Sequence, residues 1–600
     1  MSAVLPLCDS RLGPSDNAHL FVSAHIFRWN NQLQGDQTGL VSNSFRSRFS
    51  HELHTHVSYR SLGLLSFRWR CPHSAETVPC YVKTARNHGI AFVLSCAPVP
   101  LTPTIIHAKM HNRDEELLAT LGYKQELRRE FSPWELFGIS FSIIGVFPSM
   151  ASVLLYAIPN GGPLAMVWGW AVSVVFLMFI GLAMAELGSA APTSGGLYYW
   201  THTFSSPRYK NIFAWIVGYC NSLGLISGAA AINWGFAVQL MAAVSIGNDM
   251  TLTPTTAQTF GVFIAVSVLQ GIICSAAAKY IARLQTLYIV VNVAICVIIF
   301  VGLPAATPQE FKNSAKVAFG DFENFNGWPD GFAFIFSFLS PLWTIAAFDP
   351  CVHISEEASN AATAVPWAIL STVVVSGVLG WAVNIALAFN MGTDLASIID
   401  SPIGQPMATI LFNGFGKRGT LGIWSLVVIA QFMMGTGAVS SRASRFLVSA
   451  DSETRMMQIT VGARQVFAFS RDGGLPFSRF LRRVSPHTHT PLYAVWAMVL
   501  VAILLGLLAF AGPNAISAIF SLGVVAQYTA YTIPIAARYL GKNDFKKGPF
   551  HLGIFSLPVA VIAVAFMSFM IIIFTFPTMP NPTTEDMNYT VVVSGGVMIL

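Results

Sequence analysis

From Leu136 to Ala185 the chain runs fifty residues without an Asp, Glu, Lys or Arg, interrupted only by the turn-forming stretch Pro159-Asn160-Gly161-Gly162-Pro163. About twenty apolar residues carry a helix across the ~30 Å hydrocarbon layer, so this segment reads as two spanning helices joined by a tight turn. The pattern recurs, and spans are expected at residues 136–157, 164–185, 212–242, 259–278, 284–304, 331–352, 367–390, 420–440, 491–511, 514–534 and 552–576, with a short final run at 589–600. Composition agrees: 54% of residues are hydrophobic and 10% charged, against roughly 25% charged in soluble domains. The expected fold class is therefore an all-α integral membrane protein of about twelve transmembrane helices. A soluble core of this size is excluded.

The net charge of +6 does not point to nucleic acid, because the basic residues sit in short loops between apolar runs, where they set topology. With the N-terminus inside, the cytosolic loops hold Arg208, Lys210, Lys279, Arg283, Arg442, Arg445, Arg464, Arg471, Arg479, Arg482, Arg483, Arg538, Lys542, Lys546 and Lys547. The outer loops hold few, among them Lys312, Lys316, Lys417 and Arg418. Cys220, Cys274, Cys296 and Cys351 fall in or beside apolar segments, and Cys8, Cys71, Cys80 and Cys96 in the N-terminal tail. Neither a disulfide framework nor zinc spacing is implied.

The sequence has no phosphate-binding loop, no H-E-x-x-H and no nucleophile elbow, so no enzyme activity and no cofactor are expected. Gradient-driven transport, a channel or a receptor remain. Two apolar segments at corresponding places in the two halves carry helix-breaking residues, residues 142–149 in the first span and 340–350 in the sixth. Paired broken helices mark a transporter's binding site, because unwinding within the membrane frees backbone groups that lipid cannot satisfy. A half-helix N-terminus suits a carboxylate and freed carbonyls suit an ammonium or a cation, so a zwitterionic amino acid fits both. The alternative is a proline kink repaired by neighbouring side chains. Asp349 is a carboxylate inside a span, where it either binds an amine, accepts a proton, or sits at a wetted helix end and caps a broken turn. Glu356 and Glu357 just beyond it read as gate or scaffold.

Four stretches carry a family resemblance: DEELLATLGYKQELRREFSPWELFGISFSII from Asp114, AMAELGSAAPTSGGLYYW from Ala183, SPLWTIAAFDPCVHISEEASNA from Ser340, and QVFAFSRDGGLPFSRFLRRVSPHTHTP from Gln465. They resemble fungal permeases of the amino acid, polyamine and organocation superfamily, most closely the branch containing GABA and choline permeases. The resemblance implies twelve helices, the first ten forming two inverted five-helix repeats, with substrate held between broken helices one and six and proton-coupled uptake by alternating access. It assigns substrate contacts to Ser142, Ile144, Gly145 and Ser149 and to Trp343, Thr344, Ala347, Phe348 and Asp349. Coupling or gating falls to Asp349, Glu186, Asn292 and Glu356. For Glu186, with the following Pro192-Thr193-Ser194-Gly195-Gly196 and the aromatics Tyr198 to Trp200, a structural role paired with a loop arginine is the competing reading. Some bacterial relatives carry a lysine in the fifth helix, where its charge substitutes for a coupling sodium; the similar run here, RLQTLYIVVN from Arg283, has Asn292. His353 reads as a loop histidine or, titrating in the useful range, a relay.

The resemblance covers residues 113–600. Residues 1–112 lack sustained periodicity and a signal peptide and are expected to be a disordered tail or a misassigned start. Residues 446–464 separate an exit helix from QVFAFSRDG and look inserted, as a retained intron would; sequencing the messenger across that junction checks this. The final run is too short to span, so the last helix is expected to be truncated. The expected function is secondary transport of GABA-like or neutral amino acids, with a choline or polyamine permease, or a nutrient-sensing receptor, as alternatives. The expected partners are the substrate, a proton and the lipid bilayer, and the expected address is the plasma membrane, with the vacuolar membrane as alternative.

Overall fold

The computed structural model describes residues 64–70, 77–85, 91–96, 115–121, 131–276, 278–346, 348–437, 461–483, 491–582, 588–592 and 595, and the chain divides into two units, Met1–Ala108 and Lys109–Leu600. In the first unit β1 (Leu64–Arg70), β2 (Thr77–Ala85) and β3 (Ala91–Cys96) form an antiparallel meander, Leu64 lying opposite Lys83 and Ala91 opposite Ala85. This sheet lies inside the segment read above as a tail.

The described elements of the second unit are helices: α1 (Pro133–Ile144), α2 (Val146–Ala157), α3 (Trp170–Ala190), α4 (Gly196–Phe204), α5 (Lys210–Gly247), α6 (Thr256–Ala276) and α7 (Ala278–Val297) in the first half. The second half holds α8 (Asp330–Phe336), α9 (Leu339–Thr344), α10 (Pro350–His353), α11 (Ala361–Asn390) and α12 (Pro406–Gly437), and then α13 (Val461–Arg471), α14 (Leu492–Gly506), α15 (Pro513–Leu540) and α16 (Ser556–Ile573). Among the described residues ten helical stretches are long and apolar enough to cross a membrane. The sixth expected span is an eleventh, built in pieces from α8, α9 and α10. The bulk of the expected run 589–600 and residues 446–460 of the expected insertion lie outside the described residues. Residues 461–464 form the first turn of α13, where Ala463 is fully buried against Val466 and Met498.

Local chemistry sets the first span. Ser132 caps α1 and Glu135 reaches back to the Ser132 N–H (2.7 Å), a reciprocal capping box with Pro133 as the first helical residue. Elements at corresponding places in the two halves pack on each other: α2 on α9, α3 on α11, α5 on α12. The α3–α11 contact is close because Gly380 offers no side chain to the Trp170 ring, against which a Cβ would stand at 2.0 Å, and the Trp170 indole N–H donates to the Gly377 carbonyl (2.9 Å). Many of the side chains left exposed on the spans are apolar, Val290, Val301, Leu500 and Val561 among them, as a lipid-facing surface requires.

The contacts sort the loops into two ends, named here by the orientation expected from the basic residues. Asn160, Asn324 and Trp328 are joined to Asn326, Asp330 and Pro577, and Lys417 to Asp249, all at the ends assigned to the outside. Ser194 is joined to Glu356 and His353, Tyr198 to Asp472, and Glu186 to Arg538 and Ser556, at the ends assigned to the inside.

Candidate functional site

The first span breaks at Gly145, whose backbone is left-handed (φ 49°, ψ 67°). A side chain there would meet strain from the backbone and from space: a Cβ would lie 2.6 Å from the Tyr288 hydroxyl and 2.7 Å from Met434 Sδ. The break hands off its hydrogen bonds locally. Gly145 N–H donates to Phe141 O (3.1 Å), Ser149 N–H to Gly145 O (2.9 Å), and the Ser149 hydroxyl to Ile144 O (2.6 Å). The start of α2 holds the Val146 and Phe147 N–H groups ahead of its first intrahelical bond, the partial positive end of a helix, with the Phe147 N–H turned to the Cys296 sulfur on α7. Pro148 sits in this first turn, where its missing N–H costs nothing, and its carbonyl accepts from Gln239 Nε2 (3.0 Å).

The sixth span breaks between α9 and α10. Ile345 N–H still reaches Pro341 O (3.0 Å), but Ala346 reaches back only to Trp343 O (3.3 Å), and the chain resumes helix at Pro350. The α9 helix packs on α2, and its C-terminus carries the partial charge opposite to that of the α2 N-terminus. Between the breaks lies a cavity of about 60 Å³, lined by Ile143, Ser149, Trp343, Thr344, Met434 and Gln527 together with small residues of α5, Gly224, Gly228 and Ala229. This volume admits several waters or a small organic molecule. The Thr344 hydroxyl is buried with no hydrogen-bond partner. No Asp, Glu, Lys or Arg lines the cavity.

The charged groups sit at the inner side instead. Asp349 takes the cap position of α10 without a side-chain cap bond, and it is fully buried. Its Oδ2 is 3.4 Å from His353 Nε2. The Tyr531 hydroxyl, which donates to Ala346 O (3.2 Å), interacts with the same carboxylate. Glu356 accepts from the Ser194 N–H (2.9 Å) and hydroxyl (2.5 Å). Glu186 forms a two-pronged pair with Arg538 (Nη1–Oε2 2.7 Å, Nη2–Oε1 2.9 Å) and accepts from the Ser556 hydroxyl (2.7 Å).

Of the residues singled out in the sequence, Ser149, Trp343 and Thr344 line the cavity, and Gly145 forms the break beside it. Ser142 donates back to Gly138 O (2.7 Å), Ile144 is packed in the core, and Phe348 lies against the Tyr531 ring at 5.6 Å. Ala347 lies outside the described residues. Glu186 pairs with an arginine in the last turn of α15. Asn292 on α7 is fully buried, one turn beyond Tyr288, whose hydroxyl interacts with its side chain. Sequence reasoning passed over the α5 wall, because Gly and Ala in a membrane helix also signal mere close packing, and over Gln527, Asn221 and Tyr531.

Comparison with known proteins places this geometry in context. The family model described as amino acid permease matches residues 131–598. The GABA-specific permease of Saccharomyces cerevisiae is 38% identical over 501 residues, 82% of this chain and 84% of that relative. An uncharacterized amino-acid permease of Schizosaccharomyces pombe is 38% identical over 495 residues, 82% of this chain and 87% of that relative. Amino-acid permease 2 of Neurospora crassa is 34% identical over 491 residues, 81% of this chain and 86% of that relative.

Proposed function

The chain belongs to the amino acid permease family, and from that premise we propose that it takes up GABA-like or neutral amino acids at the plasma membrane, driven by protons and working by alternating access. The observation that carries the substrate class is the uncharged cavity between two opposed helix ends. The α2 N-terminus attracts a carboxylate and the α9 C-terminus an ammonium, so the two poles of a zwitterion are met without a net charge in the wall. A permanent cation such as choline would leave the α2 end unpaired, which weighs against the amine branch. Ser149 and Thr344 supply hydroxyls, and Trp343 forms the apolar wall that sets side-chain length. Glu356 holds the Ser194 loop at the inner gate, Glu186 clamps the inner helix ends, and Asn292 lines the buried side of the first break without a charge of its own.

Uptake of labelled GABA, alanine and choline into permease-deficient yeast expressing the chain tests this, with and without a protonophore. Protonophore-sensitive uptake of GABA or alanine is expected. Choline uptake alone would overturn the substrate class, and uptake indifferent to the protonophore would overturn the coupling. Absence of whole-cell uptake with activity in isolated vacuolar vesicles would move the protein to the vacuole.

A further inference from the structure

His353 stands one turn from Asp349, and the two side chains are wholly buried, Nε2 lying 3.4 Å from Oδ2. The other ring nitrogen, Nδ1, is 3.2 Å from the Ser194 carbonyl oxygen. A carbonyl only accepts, so Nδ1 carries a hydrogen. Nε2 is also 3.2 Å from Asn221 Nδ2 on α5. In a neutral ring, Nε2 accepts from that amide and turns a lone pair towards the carboxylate. Asp349 is then a buried anion whose neighbouring hydroxyl, that of Tyr531, already donates its hydrogen to Ala346 O, an expensive arrangement. One added proton resolves the conflict, either on Nε2, giving an imidazolium–carboxylate pair, or on the carboxyl, which then donates to Nε2. Asn221 suits both states, because its Oδ1 has no partner and a half-turn of the amide exchanges donor for acceptor.

We propose that Asp349 and His353 together bind the transported proton, and that Ser194 passes its arrival to the inner gate. The inference rests on the proton-coupled reading above and names the group responsible. The loop that holds Ser194 is the one Glu356 anchors, and Gly196, left-handed at φ 49°, lies directly against the His353 ring. Two residues on, the Tyr198 hydroxyl donates to Asp472 Oδ2 (2.8 Å), tying α4 to the end of α13. A charged ring donates more strongly from Nδ1 to the Ser194 carbonyl than a neutral one. Proton uptake therefore tightens the loop and the Tyr198–Asp472 contact, and release to the cytosol loosens them. One proton enters and one leaves per cycle, with no other bond made or broken.

The titratable groups around the pair are few. Of the elements packed on α10, α1 contributes Glu135 in its first turn, α11 no titratable group, α13 Arg464 and Arg471, and the turn Ser355–Glu357 its two glutamates. Cys351 lies on α10 itself, Tyr531 meets the carboxylate from α15 with Tyr528 beside it, and α5 carries Tyr219 and Cys220 beside Asn221. Among the described residues the only ion-pair partner of Asp349 is His353.

The test uses the full chain in liposomes, with labelled GABA and alanine, wild type beside His353→Gln and Asp349→Asn. An imposed inward pH gradient is expected to drive accumulation by the wild type. In both variants the inside-to-outside ratio is expected to fall to about one while labelled substrate still exchanges for unlabelled, a split that a misfolded variant would not give. Gradient-driven accumulation by the variants at the wild-type level overturns the proposal. So does wild-type transport that ignores the gradient, which leaves the permease reading standing. Should the wild type carry neither substrate, the functional reading fails, and the inference is decided by the unfolding midpoint against pH: a pH dependence present in the wild type and absent from both variants supports it, and an unchanged profile overturns it. Asn221→Asp supplies a second variant. A carboxylate beside Nε2 should move the pH dependence of uptake upward by about one unit or more, and no shift would count against the pair.

Discussion

Replacing Glu186 or Arg538 probes how the inner ends of α3, α15 and α16 are held together. Glu186 is 1% exposed and the Arg538 side chain 8%, and two short contacts join them. Removing one partner of such a buried pair costs about 3–5 kcal/mol, because the other is left charged out of water. The structure ranks the two deletions. After Glu186→Gln, Arg538 keeps the ring of Phe545 at 3.9 Å and of Tyr539 at 4.9 Å, worth up to about 2 kcal/mol in a desolvated setting. The glutamine also retains the shape to meet the Ser556 hydroxyl and the Leu552 N–H. After Arg538→Met, Glu186 keeps only those last two donors. Glu186→Gln should therefore fall at the low end, about 3 kcal/mol, and Arg538→Met nearer 5. The double variant should lose less than the sum, by about 1–3 kcal/mol of coupling. Denaturant unfolding of the purified protein in detergent measures all three. Additive losses under about 1 kcal/mol each would show that the pair behaves as a solvated surface contact and that the clamp is held by apolar packing alone.

Gly145→Ala combines left-handed strain, about 1–2 kcal/mol, with overpacking against Tyr288 and Met434, about 1–3 kcal/mol. Amino acid uptake should fall at least about tenfold, and adding Met434→Ala should restore only part of it because the Tyr288 hydroxyl remains; uptake by Gly145→Ala within twofold of wild type would show that the left-handed break is dispensable. On the outer side, burial and the neighbouring Asp321 and Asp394 raise the Glu323 carboxyl above its ordinary 4.5. Its folded form holds a proton that the unfolded chain has released, so its contribution is complete below pH 4.5 and is lost as pH rises through the raised value. Glu323→Gln should flatten the fall in unfolding midpoint just above that pH, and an unchanged profile would assign the fall to another group.

The spans were legible because a bilayer imposes a length, and a run of apolar residues reports it without reference to any partner. The breaks were legible for a related reason. Gly145 and the residues between Thr344 and Pro350 disturb helix locally, so their effect on the backbone is written in the residues themselves. The sixth span was harder to delimit, because α8 and α9 are already separate short helices before the break, and the eighth begins at Pro406 but bends at Gly416 (φ 67°, ψ 177°), so apolar counting alone placed its start at 420. What a window of sequence does not carry is the choice of partner. Asp349 was visible as a carboxylate in lipid, and its roles as amine anchor, proton acceptor and wetted cap were equally open. What bears on the choice comes from residues far along the chain: the cavity wall includes residues of α5, α12 and α15, and the group that meets His353 is Asn221, 132 positions earlier. Glu186 finds its arginine 352 positions away rather than in an adjacent loop. The single clue in the sequence was the spacing of Asp349 and His353, four apart and so on one helical face. Burial is what that spacing alone does not show, and the proposal above rests on it: the carboxylate and the imidazole lie 3.4 Å apart out of water.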